Sequence, residues 1–244
     1  MIISREGIEI FQNNSTSGID LWTGIPNCQA AHDALLAILL RVTAPLAPHV
    51  ALGTRRQGNL GEFVAFFVAR NKALNYTHVF ALNVFSPLQD ISSPGLDLTY
   101  AYFDERDPQN DLVYLQEVKT TGGLDLAYAD SLTGDYRKLF GEDPALTLNT
   151  RLQGVSGKLE YADNRPDLAD RIRQLCDTTA SRCTRVNLVP TLVHERIGTT
   201  PAPKMMAIKT AITALGWAPS QIAPWSIAMD DLINRLTRLS RGLN

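Results

Sequence analysis

The sequence predicts an α/β fold, a mixed central sheet flanked by helices, and three observations predict it. Aromatic and β-branched residues crowd two extended segments, "LDLTYAYFDE" and "DLVYLQEVKT". A third strongly apolar run, "TRVNLVPTLVHE", follows much later. Segments of helical period lie before, between and after them. A sheet covered by helices accounts for that order better than a sandwich or a bundle. With 244 residues, 45% hydrophobic and 20% charged, the chain is long enough to close a core.

Taken in order, "EGIEIFQ" reads as a short strand. "NCQAAHDALLAILLRV" reads as a helix capped by Asn27 and stopped by Pro45 and Pro48. "GNLGEFVAFFVARN" is a second helix, with Leu60, Val64, Phe67 and Val68 on its apolar stripe. "THVFALNVF" is a strand ending before Pro87. The next two strands are joined by the polar turn "DERDPQN" and form an antiparallel hairpin. After Gly122 and Gly123 come the helical segments "LAYADSLTGDYRKLF", "PALTLNTRLQGVSGKLE" and "RPDLADRIRQLC". "TRVNLVPTLVHE" is the last strand, which Pro190 interrupts or forces towards an edge. "PKMMAIKTAITALG" and "SIAMDDLINRLTRLS" close the chain as helices.

Several functions are excluded early. "VALGTRRQGNLG" lacks the ending of a phosphate-binding loop, and "QGVSGK" around Ser156 misses the spacing of a nucleophile elbow. Cys28, Cys176 and Cys183 make neither a disulfide framework nor a zinc ribbon, which points to a reducing compartment. The opening "MIISREGIEIFQNNS" is not a signal peptide, and "ALLAILL" is too short to span a bilayer. A cytoplasmic chain with no membrane partner is the expectation. Net charge is −2, but residues 1–122 carry 8 basic and 12 acidic side chains and residues 123–244 carry 15 and 13. A phosphate-facing surface would draw on the second half or come from a partner.

Charge on the sheet is the informative feature. Asp97 and Glu117 come from consecutive strands of the hairpin, where facing side chains lie roughly 4.5–5.5 Å apart at Cβ. Two carboxylates so close repel unless a cation sits between them. Magnesium accepts two carboxylates and a carbonyl and keeps room for water and a phosphate. Glu117 and Lys119 share a face, while Val118 points into the core and leaves its carbonyl near the metal. Lys119 is then placed to hold a water or steady charge on phosphorus. The plainer reading of Glu117 and Lys119 is a same-face ion pair on an edge strand.

The order "GNLGEF", "PGLD", "QEVK" resembles the PD-(D/E)xK, or restriction-endonuclease-like, nuclease superfamily. The resemblance covers roughly residues 57–195. It implies a restriction-endonuclease-like core there, an N-terminal helical and strand elaboration over 1–56, and a C-terminal helical extension over 196–244. It implies catalytic roles for Asp97, Glu117 and Lys119. It also implies a Mg²⁺ or Mn²⁺ site made by Asp97, Glu117 and the Val118 carbonyl, completed by Glu62. Glu62 taken alone reads equally well as a solvent-facing helix residue. The proline expected just before the first acid stands three residues upstream, at Pro94. Within the superfamily, "GNLGEF … PGLDL … YLQEVKTTGG" is similar to the nuclease-like subunit of the Hachiman anti-phage system, which implies DNA as substrate and a helicase-like ATPase as partner. A second reading keeps the fold as a non-cleaving DNA-binding or sensory subunit.

Basic residues supply the candidates for nucleic-acid contact. Arg137 and Lys138 stand with Tyr128 and Tyr136 on the helix after the catalytic strand. Arg171 and Arg173 belong to a basic stretch with Arg165, Arg182 and Arg185 that suits either nucleic-acid backbone or an acidic partner. For Arg137 or Lys138 taken singly, an ordinary solvated helix face is the stronger reading. His194 reads as a structural histidine, and His32 and His49 join no ligand constellation.

Overall fold

The computed structural model describes residues 8–12, 49–74, 79–81, 97–123, 126–138, 148–161, 164–176, 185–196 and 201–241. The helix expected over 27–42, the turn at Pro94 and Gly95, and Arg182 lie outside them. Six strands form one mixed sheet in the order β1-β6-β5-β4-β3-β2. They are β1 (Ile8–Gln12), β2 (Val79–Ala81), β3 (Leu98–Tyr102), β4 (Leu112–Thr121), β5 (Val186–Glu195) and β6 (Trp225–Met229). The helices are α1 (Thr54–Leu74), α2 (Ser131–Arg137), α3 (Leu148–Tyr161), α4 (Pro166–Cys176), α5 (Ala202–Ala214) and α6 (Leu232–Ser240).

Strand alternation sends β4 side chains to two different cores. Val113 and Leu115 face a cluster with Leu132 and Tyr136 of α2, Leu152 of α3, Ile172 of α4 and Ile208 of α5. Val118 faces the opposite cluster with Leu60, Phe63 and Val64 of α1 and Leu232 and Leu236 of α6. The sheet is therefore buried on both sides, as a parallel centre requires.

The hairpin forms as expected, with β3 and β4 antiparallel and Leu98 opposite Gln116. β4 and β5 pair in parallel over nine positions. Pro190 neither breaks β5 nor sends it to an edge, because β5 lies between β4 and β6. The Leu188 carbonyl accepts from Ala223 on the β6 side. Alternation puts the proline nitrogen on that same side, and the β6 ladder begins only beyond it, at Thr191 opposite Trp225. The missing N–H thus falls where no ladder partner is due.

The segment "SIAMDDLINRLTRLS", expected as one helix, divides: its first residues belong to strand β6, and only Leu232–Ser240 are helical. All five residues of β6 are buried, so no period-two alternation marks the strand in the sequence. Asp231, at φ 55°, turns the chain from strand to helix in the left-handed region.

Candidate active site

The site sits where β3 leaves β4. Leu98 is the last β3 residue in the ladder, so the register places Asp97 opposite Glu117. Instead of a backbone carbonyl, the Asp97 carboxylate accepts from the Val118 N–H at 2.6 Å. It continues the ladder one step past the end of the strand. The N–H and C=O of a strand residue point the same way, so the Val118 carbonyl also faces the side that β3 has vacated. Val118's side chain is buried against α1, as alternation required.

Glu117 is buried, and its Oε1 lies 2.8 Å from the Lys119 ammonium. That ammonium also lies 2.7 Å from Oδ2 of Asp135. Asp135 comes from α2, and its other oxygen accepts from Lys138 at 2.8 Å. Tyr136, next in the helix, is fully buried. Its hydroxyl donates to the Leu115 carbonyl at 3.0 Å and accepts from the Glu117 N–H at 3.2 Å. One phenol therefore locks α2 onto the strand that carries Glu117 and Lys119. Glu62 arrives from α1, which touches β4 where Gly61 meets Thr120.

The electrostatics record the crowding. Burial first, and then the charge of Glu117, push Glu62 up to about 7. Burial and then Glu62 push Asp97 up to about 7, against the lowering effect of the Val118 N–H and Lys119. Burial and Asp97 raise Glu117 well above the carboxylate range. Burial alone would lower Lys119, but the Glu117 charge and hydrogen bonds to Asp135 and Glu117 outweigh it and hold the ammonium protonated. Asp135 resists its own burial through hydrogen bonds from Lys119 and Lys138 and stays below the usual value.

The cluster thus unites Glu62, Asp97, Glu117 and Lys119, and it adds Asp135, which is not among the site residues expected from the sequence. The available signal was the i, i+3 pair of Asp135 and Lys138 beside an aromatic residue on the helix that follows the strand. Among the described residues, no group of three or more His, Cys, Asp or Glu side chains is arranged to hold a metal ion. Lys119 engages Glu117, and the Val118 N–H engages Asp97. The donor set itself suits a hard divalent cation. It is all oxygen, largely buried, and carries carboxylates whose mutual repulsion a cation would relieve.

The basic candidates divide. Lys138 touches the cluster through Asp135, and Arg137 is exposed on the same helix. Arg171 lies elsewhere. Its guanidinium forks onto both oxygens of buried Asp111, donates to the Asp104 carbonyl at 2.7 Å, and stacks 5.0 Å over the Phe103 ring. Asp111 precedes Glu117 by six residues, roughly 20 Å along a strand. Arg173 pairs with Glu160 and, at 2.6 Å, with Asp170. Neither arginine joins the acid cluster. His194 is buried, with Nδ1 donating to the Glu195 carbonyl and Nε2 accepting from the Ser226 hydroxyl, both at 2.7 Å. Tyr128 is exposed.

No family model matches the chain, and no curated protein matches its sequence. No helix among the described residues is long and apolar enough to cross a membrane.

Proposed function

We propose that the protein is a metal-dependent nuclease of restriction-endonuclease-like architecture that hydrolyses phosphodiester bonds in DNA. The observation that carries this reading is the convergence of Asp97, Glu117 and Lys119 at the point where β3 leaves β4. A structural ion pair accounts for Glu117 and Lys119. It does not account for two further carboxylates, Glu62 and Asp97, held half-buried beside it at the cost of a large shift. Mg²⁺ or Mn²⁺ would be held by Asp97, Glu117 and the Val118 carbonyl, with Glu62. When bound, such an ion supplies Lewis-acid polarisation and an acidified water. Lys119, charged and poised beside Glu117, orients the attacking water or donates to oxygens gaining negative charge. Tyr136 holds the strand in register while it does so.

The resemblance to the Hachiman nuclease-like subunit extends the proposal to anti-phage defence with a helicase-like ATPase, which would bring DNA to a chain of net charge −2. The test is cleavage of plasmid and linear duplex DNA in Mg²⁺, Mn²⁺ or EDTA, with and without such a partner. Metal-dependent cutting is expected, lowered about 100-fold or more by Glu117→Ala and by Lys119→Ala. A wild type that binds DNA but stays inert in every metal, even with the partner, sinks the nuclease reading. The non-cleaving DNA-binding subunit then takes its place.

A further inference from the structure

Asp135 stands in the cluster without a task in the nuclease reading. It is not on the sheet, and its carboxylate is placed by the docking of α2 through buried Leu132 and Tyr136. One oxygen holds Lys119 and the other is held by Lys138. Lys119 is therefore shared between two carboxylates on two different elements. A divalent cation bound to Glu117 competes with the ammonium for the same oxygens and repels it. With Glu117 as its sole partner, Lys119 would swing away as the metal arrived. With Asp135 in place it has a second anchor that the metal does not claim.

We propose that Asp135 is the positioning residue for Lys119: it retains the ammonium at the site when a divalent cation takes over Glu117. Lys138 fixes the Asp135 carboxylate so that one oxygen faces Lys119. Asp135 touches neither the proposed cation nor the phosphate, and it acts through Lys119 alone. Its effect on cleavage rests on the nuclease reading, whereas the exchange of partners by Lys119 does not need DNA.

Two readouts on the full chain separate these. In the first, acetylation of the Lys119 amine is followed by mass spectrometry in EDTA and in Mg²⁺ alone. Wild type is expected to stay protected in both. Asp135→Asn is expected to stay protected in EDTA, where Glu117 remains, and to react several-fold faster in Mg²⁺. The second readout is cleavage: Asp135→Asn lowers kcat about 10- to 100-fold with little change in KM, as a misplaced group does, and Asp135→Glu recovers part of the loss. A merely structural Asp135 would lower the melting temperature and leave the Mg²⁺-dependent labelling equal in the two proteins. Equal labelling overturns the proposal, whether or not the wild type cleaves. A labelling difference in a wild type that never cleaves supports Asp135 and sinks the nuclease reading alone.

Discussion

Asp97 and Glu62 are acids whose ordinary values of 3.8 and 4.5 rise to about 7 in the folded chain, chiefly through burial and then through a neighbouring carboxylate. The native state therefore binds more protons than the unfolded chain between about pH 4 and pH 7, and its stability falls as pH rises through that window. In EDTA the melting temperature is expected to drop from pH 5 to pH 7.5, with Mg²⁺ recovering more at pH 7.5 than at pH 5. Asp97→Asn, which keeps an oxygen for the Val118 N–H, should flatten the drop. A melting temperature that rises over this interval in EDTA would contradict the crowding. At this scale the site was partly legible. Period-two alternation is enough to put Glu117 and Lys119 on one face, and antiparallel pairing of β3 with β4 across a nine-residue connection (103–111) brings Asp97 opposite. The meeting of Asp135 with Lys119 was not legible, because the angle at which α2 lies on the sheet is set by Tyr136 and Leu132 meeting side chains remote in sequence.

At the scale of elements, two contacts fix how helices pack against β4. Gly61 lets α1 approach β4 so closely that an added Cβ would run into the Thr120 hydroxyl and meet its Cβ at 2.7 Å. The first is a side-chain tip, but the second moves only with the strand. Gly61→Ala should destabilise by about 1–3 kcal/mol in denaturant melts, and it should displace neighbouring Glu62 and lower cleavage beyond the loss of folded protein. The second contact is Arg171 on Asp111, which ties α4 to the start of β4 and to the turn between β3 and β4. Removing one partner of a largely buried pair leaves Asp111 without its counter-charge. Arg171→Met is expected to cost about 2–3 kcal/mol, discounted for the partial exposure of the arginine. The salt dependence of DNA binding should stay as in wild type. A shallower slope with unchanged stability would return Arg171 to the nucleic-acid interface that its place in a basic stretch suggested.

For the whole molecule, the sheet joins segments from opposite ends of the described chain. β6 pairs with β5 on one side and with β1 on the other, so residues 225–229 and 8–12 extend a sheet otherwise built between 79 and 195. Removing β6 would expose the edge of β5 and leave Val189 and Val193 without Trp225 and Ile227 beside them. A fragment of residues 57–195 is accordingly expected to show no cooperative thermal transition, in contrast to the full chain. A sharp transition in the fragment would show that the core closes without its last strand.

The sequence by itself determined the class of fold, the β3–β4 hairpin, the helical stretches around α1, α3, α4 and α5, and the meeting of Asp97, Glu117 and Lys119. These follow from local periodicity and from the fixed geometry of a hairpin, which need no knowledge of the rest of the chain. Only the tertiary structure decided that β6 is a strand, that Pro190 sits within the sheet, that Arg171 serves Asp111, and that Lys119 is shared with Asp135. Each of those depends on which remote segment packs alongside. A fully buried strand carries no alternation, a proline is tolerated wherever a neighbour's ladder begins late, and a charged side chain takes whichever partner packing brings within reach.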